Sequence, residues 1–136
     1  MDKELIAEKI ESLRRCIKRV EDKRPDTIDE LIADNDLQDI VSLNLSRAVQ
    51  SAVDIAVHII SEGEGTVPAT MAESFELLKQ KKIISSEVAE RMKKAVGFRN
   101  TAVHNYQAID WNIVFNICHN NLDDFKHYIS EIDALL

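Results

Sequence analysis

The chain has 136 residues, 45% of them apolar and 30% charged, the balance of one soluble domain with its own core. A formal net charge of −7 argues against a protein that coats nucleic acid non-specifically, so any contact with RNA must run through a local cationic site. With 3 Gly and 2 Pro, the chain should build long helices rather than a sheet of many turns.

The start, "MDKELIAEKI", is charged and amphipathic and does not read as a signal peptide. Residues 2–23 form the first predicted helix, because Ile6, Ile10, Leu13, Ile17 and Val20 recur at steps of four, three, four and three, with Asp2 as the cap. Pro25 interrupts it. Thr27-x-x-Glu30 has capping-box spacing and opens a short helical segment with Ile28, Leu31 and Ile32. "ADND" (33–36) restarts the chain, with Asn35 or Asp36 capping a second long helix from about Leu37 to Ser61. "EGEGT" (62–66) ends that helix, Gly63 and Gly65 being the stop signals.

Pro68 and the box Thr70-x-x-Glu73 open a shorter helix through Phe75, Leu77 and Leu78 to about Lys81. Ser85 or Ser86 caps the fourth major helix and Asp110 the last, where Trp111, Val114, Cys118, Leu122, Phe125, Ile129 and Ile132 make one stripe. No segment alternates with period two for long. The expectation is an all-α bundle of about five helices in a single domain over residues 1–136. No apolar run approaches membrane-spanning length. Cys16 and Cys118 lie far apart in helical patterns and outside any CxxC pair, so they read as small apolar residues of a reduced, cytoplasmic protein.

Three polar sets break this pattern. On the fourth helix, Val88, Met92, Ala95, Arg99 and Ala102 share one stripe, which puts a permanent cation where an apolar residue is expected. Arg99 either snorkels along the bundle edge, pairs with a buried acid, or waits in a cleft for an oxyanion. His104 lies about 140° around an ideal helix from Arg99. The two converge only if the helix ends between them or if a second copy of the chain faces this one. The second long helix carries Arg47, Gln50, Asp54 and His58 on one face, and Asp54 and His58 are spaced to pair. Finally, His119, Asp123 and His127 at i, i+4 and i+8 suit a transition metal, yet they sit where a solvated face is expected, and no Glu-x-x-His pair is present for a di-iron site. No metal and no cofactor are expected.

The stretch Arg99-Asn100-Thr101-Ala102-Val103-His104-Asn105-Tyr106 resembles the Arg-x4-His-x-Tyr signature of the HepT-like toxins, a branch of the HEPN superfamily. "LNLSRAVQSAVDIAVHIISEG" (43–63) is similar to the second helix of that family, and the long final helix and the length fit it as well. The resemblance implies a small helical bundle acting as a metal-independent ribonuclease toxin, with Arg99 and His104 catalytic. It further implies a partner, a nucleotidyltransferase antitoxin of the MNT type, that attaches AMP to Tyr106.

The chemistry agrees with these residue types. RNA carries its own nucleophile, the 2′-OH, so cleavage without metal needs a base, an acid and a cation for the phosphorane charge. Histidine serves as base or acid near neutral pH, and arginine offers a charged fork to phosphate. One histidine cannot do both jobs at once, which leads to an expected homodimer with two motifs at one cleft. Asn100 would orient the histidine or the phosphate, with Asp54 in support. The alternatives are a non-catalytic helical partner that presents substrate to a nucleotidyltransferase, with Arg99 on a nucleotide phosphate, and a purely structural bundle.

Overall fold

A computed structural model describes residues 1–63, 65 and 67–136, and every regular element among them is helical. In chain order these are α1 (Lys3–Lys23), α2 (Ile28–Ala33), α3 (Asn35–Ser61), α4 (Met71–Gln80), α5 (Ser86–His104), a 3₁₀ turn (Tyr106–Ala108), α6 (Trp111–Asn116), a π-helical turn (Ile117–Asn121) and α7 (Leu122–Asp133). The expected all-α bundle is therefore present. Glu64 and Thr66 of the "EGEGT" stop lie outside the described residues.

Caps set the starts. Asp2, Thr27, Thr70, Ser85 and Asp110 each accept from an amide two or three residues ahead, so the predicted starts of α1, α2, α4, α5 and α6 stand. The start of α3 needs a correction. Its cap is Asp34, whose carboxylate accepts from the Leu37 amide at 3.0 Å, not Asn35 or Asp36. Asp34 keeps an extended backbone, whereas Asn35 has already entered the helix. The open carbonyls at the end of α2 are taken up by the Gln38 side chain, which donates to Leu31 at 3.0 Å and Ile32 at 3.2 Å.

α3, at 27 residues, is about 40 Å long and forms the spine. Ala48, Ala52 and Ala56 follow one another at four-residue steps on it, all fully buried, and small side chains let neighbouring helices approach closely. α1 packs along α3 with Ile6, Ile10, Leu13, Ile17 and Val20, the predicted stripe. α4, α5 and α7 complete one core around Phe75, Leu78, Met92 and Phe125. Each such side chain contributes about 1.5–3 kcal/mol on burial. Among the described residues no helix is long and apolar enough to cross a membrane.

The last helix is not the single continuous stripe the periodicity suggests. Val114, Cys118, Leu122, Phe125, Ile129 and Ile132 are buried as expected, but Trp111 is only half-buried and the π turn divides the run. Arg24 satisfies a carbonyl at this irregularity, donating from Nη1 to Cys118 O at 3.1 Å. Tyr128, which the stripe leaves out, is fully buried. It donates to Ala52 O at 2.8 Å and meets the Phe75 ring edge-on at 5.6 Å.

Candidate active site

α5 runs unbroken from Ser86 to His104. The helix does not end between Arg99 and His104, and among the described residues no hydrogen bond joins their side chains. Asn105 leaves helical geometry while its amide still bonds Thr101 O at 2.9 Å. The chain then makes its 3₁₀ turn, and buried Ile109 returns it to the core.

Arg99 is half-buried and oriented from both sides. Its Nη2 donates to Gln50 Oε1 at 3.2 Å, and its Nη1 donates to Asn100 Oδ1 at 3.3 Å. Gln50 is itself held, because its Nε2 donates to Asp54 Oδ1 at 2.9 Å. Lys9 lies 3.6 Å from the other Asp54 oxygen. The order Lys9, Asp54, Gln50, Arg99 thus runs cation, anion, amide, cation, with the amide between the carboxylate and the guanidinium. Both oxygens that hold the guanidinium belong to neutral amides, so its positive charge is positioned without being neutralised. His104 is exposed at the end of α5, and among the described residues its ring makes no hydrogen bond.

Tyr106 projects from the turn that follows. Its hydroxyl donates to Asp39 Oδ1 at 2.5 Å, and its ring meets Trp111 edge-on at 5.8 Å. Burial of part of the ring, and then the Asp39 hydrogen bond, raise the phenol above its ordinary pKa, so it stays protonated at neutral pH. The side chain is nonetheless 38% exposed, enough to meet a partner. Asp39 is a site residue that sequence reasoning missed. It stands 67 positions away on α3 and breaks no periodic pattern there, so no local signal marks it.

Other predicted sets come apart. Asp54 and His58 do not pair: Asp54 turns to Gln50, while His58 Nε2 lies 3.4 Å from Glu62 Oε1. Glu62 in turn holds the N-terminal ammonium, which keeps its carboxyl below the usual range. Arg47 faces α1 instead of the Arg99 cleft. His119 Nε2 sits 2.6 Å from Pro25 O, and the π turn takes His119 out of line with Asp123 and His127. Among the described residues no three His, Cys, Asp or Glu side chains gather as a metal site. Cys16 and Cys118 are free thiols, and burial pushes Cys118 to about 11. A cleft of about 760 Å³ opens on another flank of α5, beside Phe98, Ile109, Ile113 and Phe125, and neither Arg99 nor His104 lines it.

The family described as "Ribonuclease HepT-like" matches residues 7–132. The mRNA nuclease HepT of Shewanella oneidensis is 37% identical over 131 residues, covering 96% of this chain and 98% of that protein. The tRNA nuclease HepT of Aphanizomenon flos-aquae is 27% identical over 132 residues, covering 97% and 90%. Among solved structures, the tri-AMPylated HEPN toxin of Shewanella oneidensis in complex with its MNT antitoxin superposes with a TM-score of 0.89 at 38% identity, covering 95% of this chain and 96% of that one. A toxin–antitoxin complex with AMP-PNP gives the same TM-score at 36% identity, covering 96% and 98%.

Proposed function

The chain belongs to the HepT-like ribonuclease family, and from that premise we propose that it is the toxin of a toxin–antitoxin pair, a metal-independent endoribonuclease working through Arg99 and His104. The observation that supports this best is the company of Arg99. A guanidinium fixed by Gln50 and Asn100, both neutral, keeps its full charge for a phosphate. Asp54 acts one step back by aligning Gln50.

One histidine cannot serve as base and acid at once, so the reading requires two copies. Exposed Leu43 and Val103, close in sequence to Arg47 and His104, supply apolar surface for a homodimer. In the shared cleft one His104 takes the proton of the ribose 2′-OH. The 2′-oxygen then bonds to phosphorus, Arg99 balances the phosphorane charge, and the 5′-oxygen leaves with a proton from the second His104. The products are a 2′,3′-cyclic phosphate and a 5′-hydroxyl.

Tyr106 serves control rather than cleavage. The partner is an MNT-type nucleotidyltransferase antitoxin. The phenolic oxygen bonds to the α-phosphorus of ATP, pyrophosphate leaves, and Asp39, already holding the phenolic proton, accepts it. The added phosphodiester, tethered to the turn that follows α5, reaches back toward the Arg99 cation and competes with the RNA phosphate by charge-assisted pairing.

Purified protein given labelled RNA in EDTA tests the reading. Cleavage should persist, with 2′,3′-cyclic phosphate ends. Folded His104→Ala should lose on the order of a hundredfold to ten-thousandfold in rate. Wild-type rates in that variant, or 3′-hydroxyl ends, contradict the mechanism. Folded, dimeric protein that takes AMP on Tyr106 but never cuts RNA would instead favour the non-catalytic partner of a nucleotidyltransferase.

A further inference from the structure

α1 and α3 leave between them a groove of about 470 Å³, whose wall holds three arginines, Arg15, Arg19 and Arg47, and otherwise neutral side chains. Among the described residues no carboxylate lines it, although the chain has 24 Asp and Glu against 17 Lys and Arg. The contrast within α1 is sharp. Arg14, one residue before Arg15, is held by Glu11 at 2.6 Å and Asp133 at 3.2 Å. Arg15 donates, among the described residues, only to Ser12 Oγ, at 3.1 Å. Among the described residues Arg19 and Arg47 form no ion pair, and all three side chains are exposed. Their field reaches the Cys16 thiol, where the Arg47 and Arg15 charges pull against the upward push of burial.

Two features give the groove direction. Arg15 and Arg19 stand one helical turn apart, about 6 Å along the axis, a step similar to that between successive phosphates of an extended strand. Gln50 belongs to the groove wall and also holds Arg99, so the groove leads to the cation assigned to the scissile phosphate.

We propose that this groove binds the phosphodiester backbone of the RNA beside the scissile phosphate, with Arg15, Arg19 and Arg47 each taking a phosphate oxygen. The proposal rests on the ribonuclease reading and adds to it where the strand runs. It also accounts for RNA binding by an acidic protein: the contact is confined to a strip from which carboxylates are absent. Such contacts give affinity without base selection, because each releases counterions whatever the sequence.

The test uses the full-length protein, a fluorescein-labelled twelve-nucleotide oligouridylate, and a His104→Ala background so that binding is read apart from cutting. Arg15→Gln, Arg19→Gln and Arg47→Gln combined should weaken binding about 50-fold at 0.15 M salt, as three phosphate contacts at roughly fourfold each require. The slope of log K against log salt should fall in magnitude by about 2. The triple Arg→Lys variant should keep most of the affinity, which separates charge from folding. With His104 intact, the triple Gln variant should raise KM and leave kcat within about twofold. An unchanged KM and salt slope in a protein that still cuts RNA overturns the groove and leaves the ribonuclease standing. Binding lost as expected in a chain that never cuts RNA keeps the groove and removes the ribonuclease. Unchanged RNA binding with loss of neutralisation by the antitoxin would assign the surface to that protein and overturn the proposal.

Discussion

Within α5, Arg91 and Lys93 are partnered differently from Arg99. In the first half Arg91 reaches Glu87 at 3.1 Å and Asp124 at 3.2 Å, and Lys93 is bonded by Glu76 and Glu90. In the second half Arg99 meets, among the described residues, only the amide oxygens of Gln50 and Asn100. Arg91 and its partner Glu87 are exposed and screened by solvent, so that ion pair contributes little to stability. The difference bears on availability. A cation beside a carboxylate presents a dipole that fades quickly with distance. A cation beside amides presents its full charge to an incoming phosphate.

The largest effect should come from removing the two arginines in turn. Arg99→Ala should lower kcat/KM for RNA by about a hundredfold to a thousandfold, the usual cost of losing a charge-stabilising group. Arg91→Ala should leave it within about twofold, and thermal melting should change by no more than a few degrees in either variant. Equal loss of activity in both would break the contrast.

A smaller effect sharpens it. The double variant Gln50→Glu with Asp54→Asn reverses the amide–carboxylate pair, keeps the net charge, and places a carboxylate on Arg99. Cleavage should fall about tenfold, the difference of one charge-assisted hydrogen bond. Single-turnover kinetics would measure it, and a wild-type rate would show that neutral partners are not what matters at Arg99.

The smallest effect belongs to the paired cations. Lys93 and Lys79 hold the Glu76 carboxyl at about 2, below its ordinary value of 4.5. A depressed folded-state pKa stabilises the protein above the unfolded value and is lost as pH falls. The melting temperature of the wild type should therefore exceed that of Glu76→Gln by a constant small margin above about pH 4.5. That margin should shrink as pH falls from 4.5 through 2, below which the Glu76 carboxyl is as neutral as the amide that replaces it. A margin that grows on acidification would contradict the assignment, while cleavage at neutral pH should be the same in both.

Much of the fold was legible, and the reason differs from element to element. The α1 stripe from Ile6 to Val20 and the caps Asp2, Thr27, Thr70 and Asp110 were readable because their interactions close within three or four residues. Asp34 was missed at the start of α3 because "ADND" offers three candidate caps, and the geometry of the preceding turn selects among them. Tyr128 lies three residues after Phe125 and four before Ile132, on the buried face of α7, but the partner that satisfies its hydroxyl, Ala52 O, stands 76 positions away and leaves no local signal.

The site divides in the same way. Arg99, Asn100, His104 and Tyr106 were legible as a set because they share a short stretch whose residue types suit one chemistry and resemble one family. Their partners were not. Gln50 sits 49 positions from Arg99, and Asp39 sits 67 from Tyr106. The cationic groove joins two helices whose arginines look ordinary one at a time. Most helix starts, the inward faces and the Arg99–Tyr106 stretch could be read from sequence, since hydrogen bonds and periodic burial act over one or two turns. Only the tertiary structure decided which cations stay unpaired, because that depends on how α1, α3 and α5 cross, and a crossing is set by packing between residues that no local pattern connects.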